Sequence, residues 1–275
     1  MAKALVLGAT GHIGAHIVRA LLADGHQVRA AYRSARFLHV LQDAPVERAR
    51  VDLDSLEGLR EALTGCAWIF HAAAYYPNLR TPRAQALERS LASTRRVADE
   101  LLRSGAQRVV FTSSASTIRY VPERPATEAD AEPWPLEGPR ALYATVKIAI
   151  EHQMRRAQEA GLPLVLTNPS ICIGEYDAHP FSGRAVLAFA KYRLPFYLDH
   201  DLHTIYTGDV GIAHVRAAQR GRLGERYLLT RHQVSVREFG RLAARAAGVP
   251  PPRWRLPRAG AYAAASVLEP LARAV

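Results

Sequence analysis

A length of 275 residues allows one domain with a lobed extension and excludes two independent units of ordinary size. The formal charge is +11, yet 33 of the 36 basic residues are arginine, scattered without an aromatic-interleaved stripe or groove-reading motif, so no nucleic-acid partner is expected. Cys66 and Cys172 have neither ligand spacing nor a disulfide framework, which fits a reducing, cytoplasmic setting.

The N-terminus opens directly into the short apolar run Ala4, Leu5, Val6, Leu7, which reads as a buried parallel strand rather than a signal peptide. Gly8, Gly11 and Gly14 follow at three-residue steps, and Ala15, Ile17, Val18, Leu21 and Leu22 then recur with helical spacing. Strand, glycine turn and helix together form a cradle for a pyrophosphate. Glycine supplies positive φ and close backbone approach, and the helix N-terminus offers free N–H groups and a positive dipole end. Gly8, Thr10, Gly11, His12, Ile13 and Gly14 are assigned to it, with Gly14 also letting the helix lie close to the sheet. A second strand over 27–32 lacks the terminal acid that binds the adenosine ribose hydroxyls of NAD; Arg33, Ser34 and Arg36 stand there instead. A planar guanidinium suits a 2′-phosphate, so NADP(H) is expected over NAD(H), and a basic chain would attract that polyanion. A third strand over 46–51 leads to Asp52, expected at the adenine amino group, with Leu53 beside it.

Further along, a strand near 67–71 and a helix near 82–104 precede the strand RVVF, 108–111, which runs into Thr112, Ser113 and Ser114. Ligands of open α/β sheets lie beyond the carboxyl ends of the strands, so hydroxyls there can donate to a substrate carbonyl. Ser114 is the first choice for that role and Ser113 the alternative, with Thr112 and Ser113 also beside the cofactor. A proline- and acid-rich loop over 121–139 forms a substrate-side wall or lid. It is followed by a helix over 141–160 that places Tyr143 and Lys147, four apart, on one face. A phenol of pKa about 10 is a poor acid or base at neutral pH; a neighbouring ammonium and the positive nicotinamide ring favour phenolate, and a drop of about 3 units takes about 4 kcal/mol. The chain has only three lysines, Lys3, Lys147 and Lys191, so a lysine at 147 suits a compact ammonium that must reach both the tyrosine and two ribose hydroxyls.

A strand over 163–168 completes an alternation of strand and helix that predicts a Rossmann-type, doubly wound parallel α/β sheet over residues 1–170. Beyond it, short pieces, including a helix over 184–192 and a strand over 205–207, predict a small substrate lobe over 171–275, interleaved with the core. Asp199, His200, Asp201 and His203 read as a solvated loop, so no metal is expected. The apolar stretch 259–268 is too short to span a bilayer and reads as a packing or interface helix.

The blocks GATGHIG, HAAA at 71–74, FTSSAST at 111–117, YATVK and NPSICIG at 168–174, in this order and spacing, resemble the extended short-chain dehydrogenase/reductase family over nearly the whole chain. FTSSA and the stretch 161–229 resemble its dihydroflavonol reductase-like branch, and most closely the hopanoid-associated sugar epimerases. The resemblance implies Ser114 orienting a carbonyl, Tyr143 exchanging the proton, and Lys147 holding the nicotinamide ribose. It also implies that Ala72, Ala73 and Ala74, after His71, line the cofactor, and that Asn168, Pro169 and Ser170 lie beside nicotinamide and substrate. A homodimer through the fourth and fifth helices, with Leu91 in or near the contact, is implied as well. Two departures stand out: Leu91, Ala92, Ser93 and Thr94 replace the family's Asn-Val-x-Gly-Thr, and relatives continue past the point equivalent to Val275. The expected activity is hydride transfer between NADP(H) and a carbonyl or secondary alcohol. A sugar-nucleotide 4-epimerase with retained NAD is the alternative, and an NADP-sensing regulator without chemistry a third. A dehydratase is disfavoured, because Ala115 and Ser116 stand where its carboxylate would follow the active-site hydroxyl.

Overall fold

The computed structural model describes residues 2–73, 81–136, 141–178, 180 and 182–257. In chain order its elements are β1 (Lys3–Leu7), α1 (His12–Ala23), β2 (Gln27–Tyr32), β3 (Glu47–Arg50), α2 (Leu59–Leu63), β4 (Trp68–His71), α3 (Arg83–Arg103), β5 (Arg108–Thr112), α4 (Leu142–Glu159) and β6 (Leu164–Pro169). There follow β7 (Ile171–Ile173), α5 (Gly183–Ala190), β8 (Phe196–Leu198), β9 (Asp201–Tyr206), α6 (Thr207–Arg220), β10 (Arg226–Leu229), β11 (His232–Ser235), α7 (Val236–Ala246) and β12 (Trp254–Leu256).

Seven strands form one parallel sheet in the order β10-β6-β5-β4-β1-β2-β3. The order reverses between β1 and β4, and a crevice opens at such a switch point beyond the carboxyl ends of the strands. The alternation of side chains along each strand explains why the runs are apolar throughout. Leu5, Leu7, Ile69, Val109, Phe111, Leu164 and Leu166 pack on one face with Val97 and Leu101 of α3 and Val146, Ile150 and Met154 of α4. Ala4, Val6, Phe70, Val110 and Val165 point the other way, onto Ile17, Val18 and Leu21 of α1 and Val215 and Ala218 of α6. Both faces are covered, as a parallel sheet requires, and each fully buried Leu, Ile or Phe contributes roughly 1.5–3 kcal/mol. This is the Rossmann-like α/β fold expected from the alternation.

The sheet's last strand, β10, comes from beyond residue 170: α6 and β10 return to the core after β7 and β9, and β11 then completes the three-stranded sheet β11-β9-β7. Its four residues pair with β6 from Arg226↔Leu166 to Leu229↔Pro169. The loop after β5 is fastened rather than loose over its described part. Arg124 holds Asp130 through two hydrogen bonds of 2.7 and 2.6 Å, Ile118 bridges Ala131, and Glu128 accepts from the Leu228 N–H at 2.9 Å. Among the described residues no helix is long and apolar enough to cross a membrane; residues 259–268 lie outside them. Asp199 pairs with Arg255 at 2.6 Å and Asp201 accepts from Gln233 at 2.7 Å, so two of the four polar residues of that segment are engaged in local pairs.

His214 of α6 is a polar tie across this core. Its Nδ1–H donates to the Val210 carbonyl at 2.7 Å, which leaves Nε2 to accept from the Thr112 hydroxyl at 2.9 Å; Thr167 Oγ1 lies 2.8 Å from the same nitrogen and donates to the Phe111 carbonyl at 3.3 Å. Burial without an acidic partner lowers its pKa to about 4 from an ordinary 6.5. The unfolded chain therefore takes up a proton as pH falls through 6.5, while the folded one resists until about pH 4. Stability thus rises with pH across that window, by about 1.4 kcal/mol per pH unit for one such histidine. Replacement His214→Leu is expected to lower overall stability and to reduce the slope of unfolding free energy against pH by about one proton between pH 4.5 and 6. Urea melts at several pH values measure it, and an unchanged slope would show that His214 does not titrate in this way.

Candidate active site

The turn after β1 is built by two glycines that nothing larger could replace without movement. Gly8 has φ +80°, and a Cβ there would lie 2.7 Å from the Ala73 nitrogen; at Gly14 it would lie 2.1 Å from the Gly8 carbonyl oxygen. Gly11 caps α1 without a side-chain hydrogen bond, and the helix has no acid in its first turn, so the first N–H groups and the positive dipole end are left to an anion. Thr10 and Ile13 are half-buried, with Ile13 packed against the core. The His12 ring turns from the backbone turn toward the lobe, its Nε2 2.9 Å from Thr207 Oγ1 and its Nδ1 3.9 Å from Asp177. One turn later His16 Nε2 lies 3.1 Å from the Glu175 carbonyl oxygen.

Arg33 is exposed one residue beyond β2. Ser34 accepts from the Arg36 N–H at 3.3 Å and opens the short helical turn 35–41. Asp52 is half-buried; its Oδ1 accepts from the Asp54 and Ser55 N–H groups at 2.8 and 3.3 Å, while Leu53 packs on the core. Ala72 and Ala73 lie against Gly8, and Ala74 falls outside the described residues.

At the end of β5 the three hydroxyls take separate directions. Thr112 donates to His214 on one side of the sheet, and Ser113 donates to the Glu151 carboxylate on the other. Ser114, in extended backbone, meets the Tyr143 side chain in a hydrogen bond. Of the two serines considered from sequence, Ser114 reaches the tyrosine and Ser113 is turned into the interior. Lys147, 3% exposed, sits one turn beyond Tyr143 with Nζ 6.0 Å from its ring centroid. Burial lowers the Lys147 pKa to about 8 against the opposing pull of Glu151. Burial, with the same ammonium nearby, lowers His71, at the end of β4, to about 4. The phenol behaves differently from the expectation that Lys147 draws it down: burial pushes Tyr143 above its ordinary value, and the opposing influence is the Ser114 hydrogen bond.

Asn168, at the end of β6, donates its amide to Glu151 and Thr117, both at 2.8 Å. Pro169 beside it is buried, and Asn168 Oδ1 and Ser170 Oγ are buried polar atoms with no hydrogen-bond partner among the described residues. Such atoms cost free energy unless a ligand or water meets them. Together with the glycine cradle they fit a dinucleotide lying from α1 to the end of β6.

Three features escaped the sequence analysis. Glu151 is 2% exposed at the centre of the strand ends, and the spacing Tyr143, Lys147, Glu151 on one helical face was the available signal. Arg226, its ion-pair partner at 3.0 Å, comes from the short strand β10 and had no motif to mark it. The departure in α3 is also displaced by one residue. Leu91 lines an outer groove with Ala149, His152 and Arg156, whereas Ser90 is the buried polar residue of that turn and donates to the Ala86 carbonyl at 2.6 Å.

Comparison with known proteins gives a consistent picture. The model of the NAD dependent epimerase/dehydratase family matches residues 4–229. The chain is 33% identical over 273 residues to sterol demethylase protein B of Methylococcus capsulatus, covering 98% of this chain and 82% of that protein. It is 31% identical over 278 residues to a putative dihydroflavonol 4-reductase of Synechocystis, covering 98% of this chain and 80% of the relative. The crystal structure of a nucleoside-diphosphate-sugar epimerase from Pseudomonas aeruginosa superposes with a TM-score of 0.82 at 27% identity, over 97% of this chain and 84% of that one.

The cradle's close contacts can be tested directly. A Gly14→Ala variant must separate α1 from the Gly8 carbonyl, an overpacking cost of about 1–3 kcal/mol, read as a lower urea midpoint. A midpoint equal to that of the parent would show that the helix can back away freely.

Proposed function

The chain belongs to the NAD dependent epimerase/dehydratase family, the extended short-chain dehydrogenases/reductases, and from that premise we propose that it is an NADP(H)-dependent reductase of a carbonyl substrate, with Tyr143 as the proton donor. The observation that carries this reading is the Ser114–Tyr143 hydrogen bond at the carboxyl end of β5, with the buried Lys147 one helical turn away.

Gly8 to Gly14 would hold the pyrophosphate, Arg33 the 2′-phosphate, Asp52 the adenine amino group, and Lys147 the nicotinamide ribose. Ala72, Ala73, Asn168 and Ser170 would line the remaining path. When bound, the nicotinamide supplies hydride to the carbonyl carbon. Ser114 donates to the substrate oxygen and fixes the carbonyl, and Tyr143 gives that oxygen its proton. A phenol raised by burial holds its proton at neutral pH, the state a donor needs in the reductive direction. Arg33 is exposed at the end of β2, where a charged, planar fork can reach a phosphate. A second reading, a sugar-nucleotide 4-epimerase with retained NAD, is favoured by the likeness to the Pseudomonas epimerase. The absence of an acid at the end of β2, where Arg33, Ser34 and Arg36 stand, weighs against it.

Purified protein is expected to oxidise NADPH faster than NADH with at least one member of a panel of aldehydes, ketones and flavanonols. Tyr143→Phe is expected to lose about 10²–10⁴-fold in kcat. No net oxidation, with NAD released only on denaturation, would replace this reading by the epimerase. In a separate measurement, Arg33→Ala should raise the KM for NADPH by about 10-fold or more, the worth of a charge-assisted hydrogen bond, and leave that for NADH within about 2-fold. Equal effects on both would remove Arg33 from phosphate recognition.

A further inference from the structure

We propose that Glu151 is a positioning residue of this site: it supplies the buried counter-charge to Lys147 and, through the same carboxylate, locks the ends of β5 and β6 that carry Ser114 and Asn168. The proposal rests on the dinucleotide-binding part of the reading above.

The geometry begins with α4. Tyr143, Lys147 and Glu151 recur every four residues, so their side chains stack along one face of the helix. That face looks onto the strand ends. Glu151 Oε2 accepts from Ser113 Oγ of the segment after β5, from Thr117 Oγ1 at 2.9 Å and from Asn168 Nδ2 of β6 at 2.8 Å. Oε1 faces Arg226 of β10 at 3.0 Å, with Arg155 Nε at 3.8 Å. Donors from three stretches of chain and two guanidinium groups thus converge on one carboxylate.

A buried ion pair costs several kcal/mol of desolvation per ion, and apolar side chains of similar volume are often equally stable. Stability of the core alone gives no reason for the arrangement. The charges around it do. Arg226 is 8% exposed, Lys147 3% and Glu151 2%, so this carboxylate is shared between two buried cations, with Glu128 and Glu225 also acting on Arg226. The groups facing Lys147 are Tyr143 and Glu151 from its own helix and His71 from β4. Cys172 of β7 lies near Tyr143, with burial pushing its thiol up to about 12. Tyr143 and Cys172 are therefore neutral at pH 7, as is His71, whose pKa is about 4. Glu151 is the anion acting on the Lys147 ammonium. Arg155 and Arg226 face the carboxylate from the far side and compete for it.

The test separates this role from that of a structural partner of Arg226. Binding of NADPH, and of NADH in parallel, is followed by nucleotide fluorescence from pH 6 to 10 on the full chain, with Lys147→Gln marking the alkaline inflection that belongs to the ammonium. Glu151→Gln is expected to move that inflection to lower pH by about 1 unit or more. In the double variant Glu151→Gln/Arg226→Met, which removes both buried charges and restores folding if the single variant is unstable, the inflection stays displaced. An inflection unmoved in Glu151→Gln, or returned to the parent position in the double variant, would overturn the proposal. So would a chain that binds neither nucleotide, which would also end the NADP(H) reading. A chain that binds nucleotide but reduces no carbonyl would fail as a reductase, and the position of the inflection would still decide the role of Glu151.

Discussion

Burying a lysine beside a phenol is the constraint from which the rest of this site follows. Lys147 is 3% exposed, and an ammonium in that position loses most of its hydration, which is why its pKa falls to about 8. Something must keep the charge in place. The Glu151 carboxylate does so from the same helix, and it must then be satisfied in turn. Its donors come from the end of β5, the turn at 115–117 and the end of β6, while its ion-pair partner comes from β10. One buried charge thus draws four separate stretches of chain to a single point. The carboxyl ends of β5 and β6 and the first residue of β10 are held there by hydrogen bonds and an ion pair rather than by apolar packing alone, which fixes directions as well as distances.

The fold was legible in the sequence because both faces of a parallel sheet must be apolar and the helices between the strands must be amphipathic. The runs at 4–7, 27–32 and 108–111, and the glycine turn after the first of them, carry that information locally. The strand β10 did not, because its four residues follow a lobe and make sense only beside β6. Site residues divide in the same way. Gly8, Gly14, Tyr143 and Lys147 are marked by spacing within one element. The choice between Ser113 and Ser114 depends on which way a strand end turns, and Ser90 against Leu91 depends on the rotation of α3. A difference of one residue along the chain reverses the answer in both cases, and no pattern in a single sequence fixes it. Glu151 was within reach, since extending the four-residue step once more from Lys147 finds it.

The cradle and the lobe are less separate than a division near residue 170 suggests. His12, the first residue of α1, belongs to the glycine turn by its backbone and to the lobe by its ring, which meets Thr207 at the start of α6. His16 reaches the Glu175 carbonyl, and Arg19 lies over the Tyr176 ring at 3.7 Å. Tyr176 itself adopts φ 64°, an uncommon conformation for a residue with a side chain, so the 175–177 turn is held by its neighbours rather than by local preference. The helix whose N-terminus would meet the pyrophosphate is therefore gripped by the lobe along the side turned away from the sheet. Close approach at Gly211, where a Cβ would fall 2.6 Å from the His16 backbone, shows how tightly α6 lies against it.

Protonation states bind these observations to a direction of chemistry. In the folded chain Tyr143 is above its ordinary value and His71 is neutral, so the strand-end region presents a phenol that keeps its proton and a lysine that titrates about one unit above neutrality. An arrangement tuned to withdraw a proton from an alcohol would need the phenolate in the resting state, and burial opposes that. A positive charge arriving beside the phenol lowers its pKa, and a neutral one does not. On the proposed reading, a neutral reduced ring would leave the phenol protonated, whereas a positive oxidised ring would move it toward phenolate, so Tyr143 and Lys147 would serve either direction according to the charge beside them. The protein's contribution is to hold the phenol dry enough for that single charge to matter.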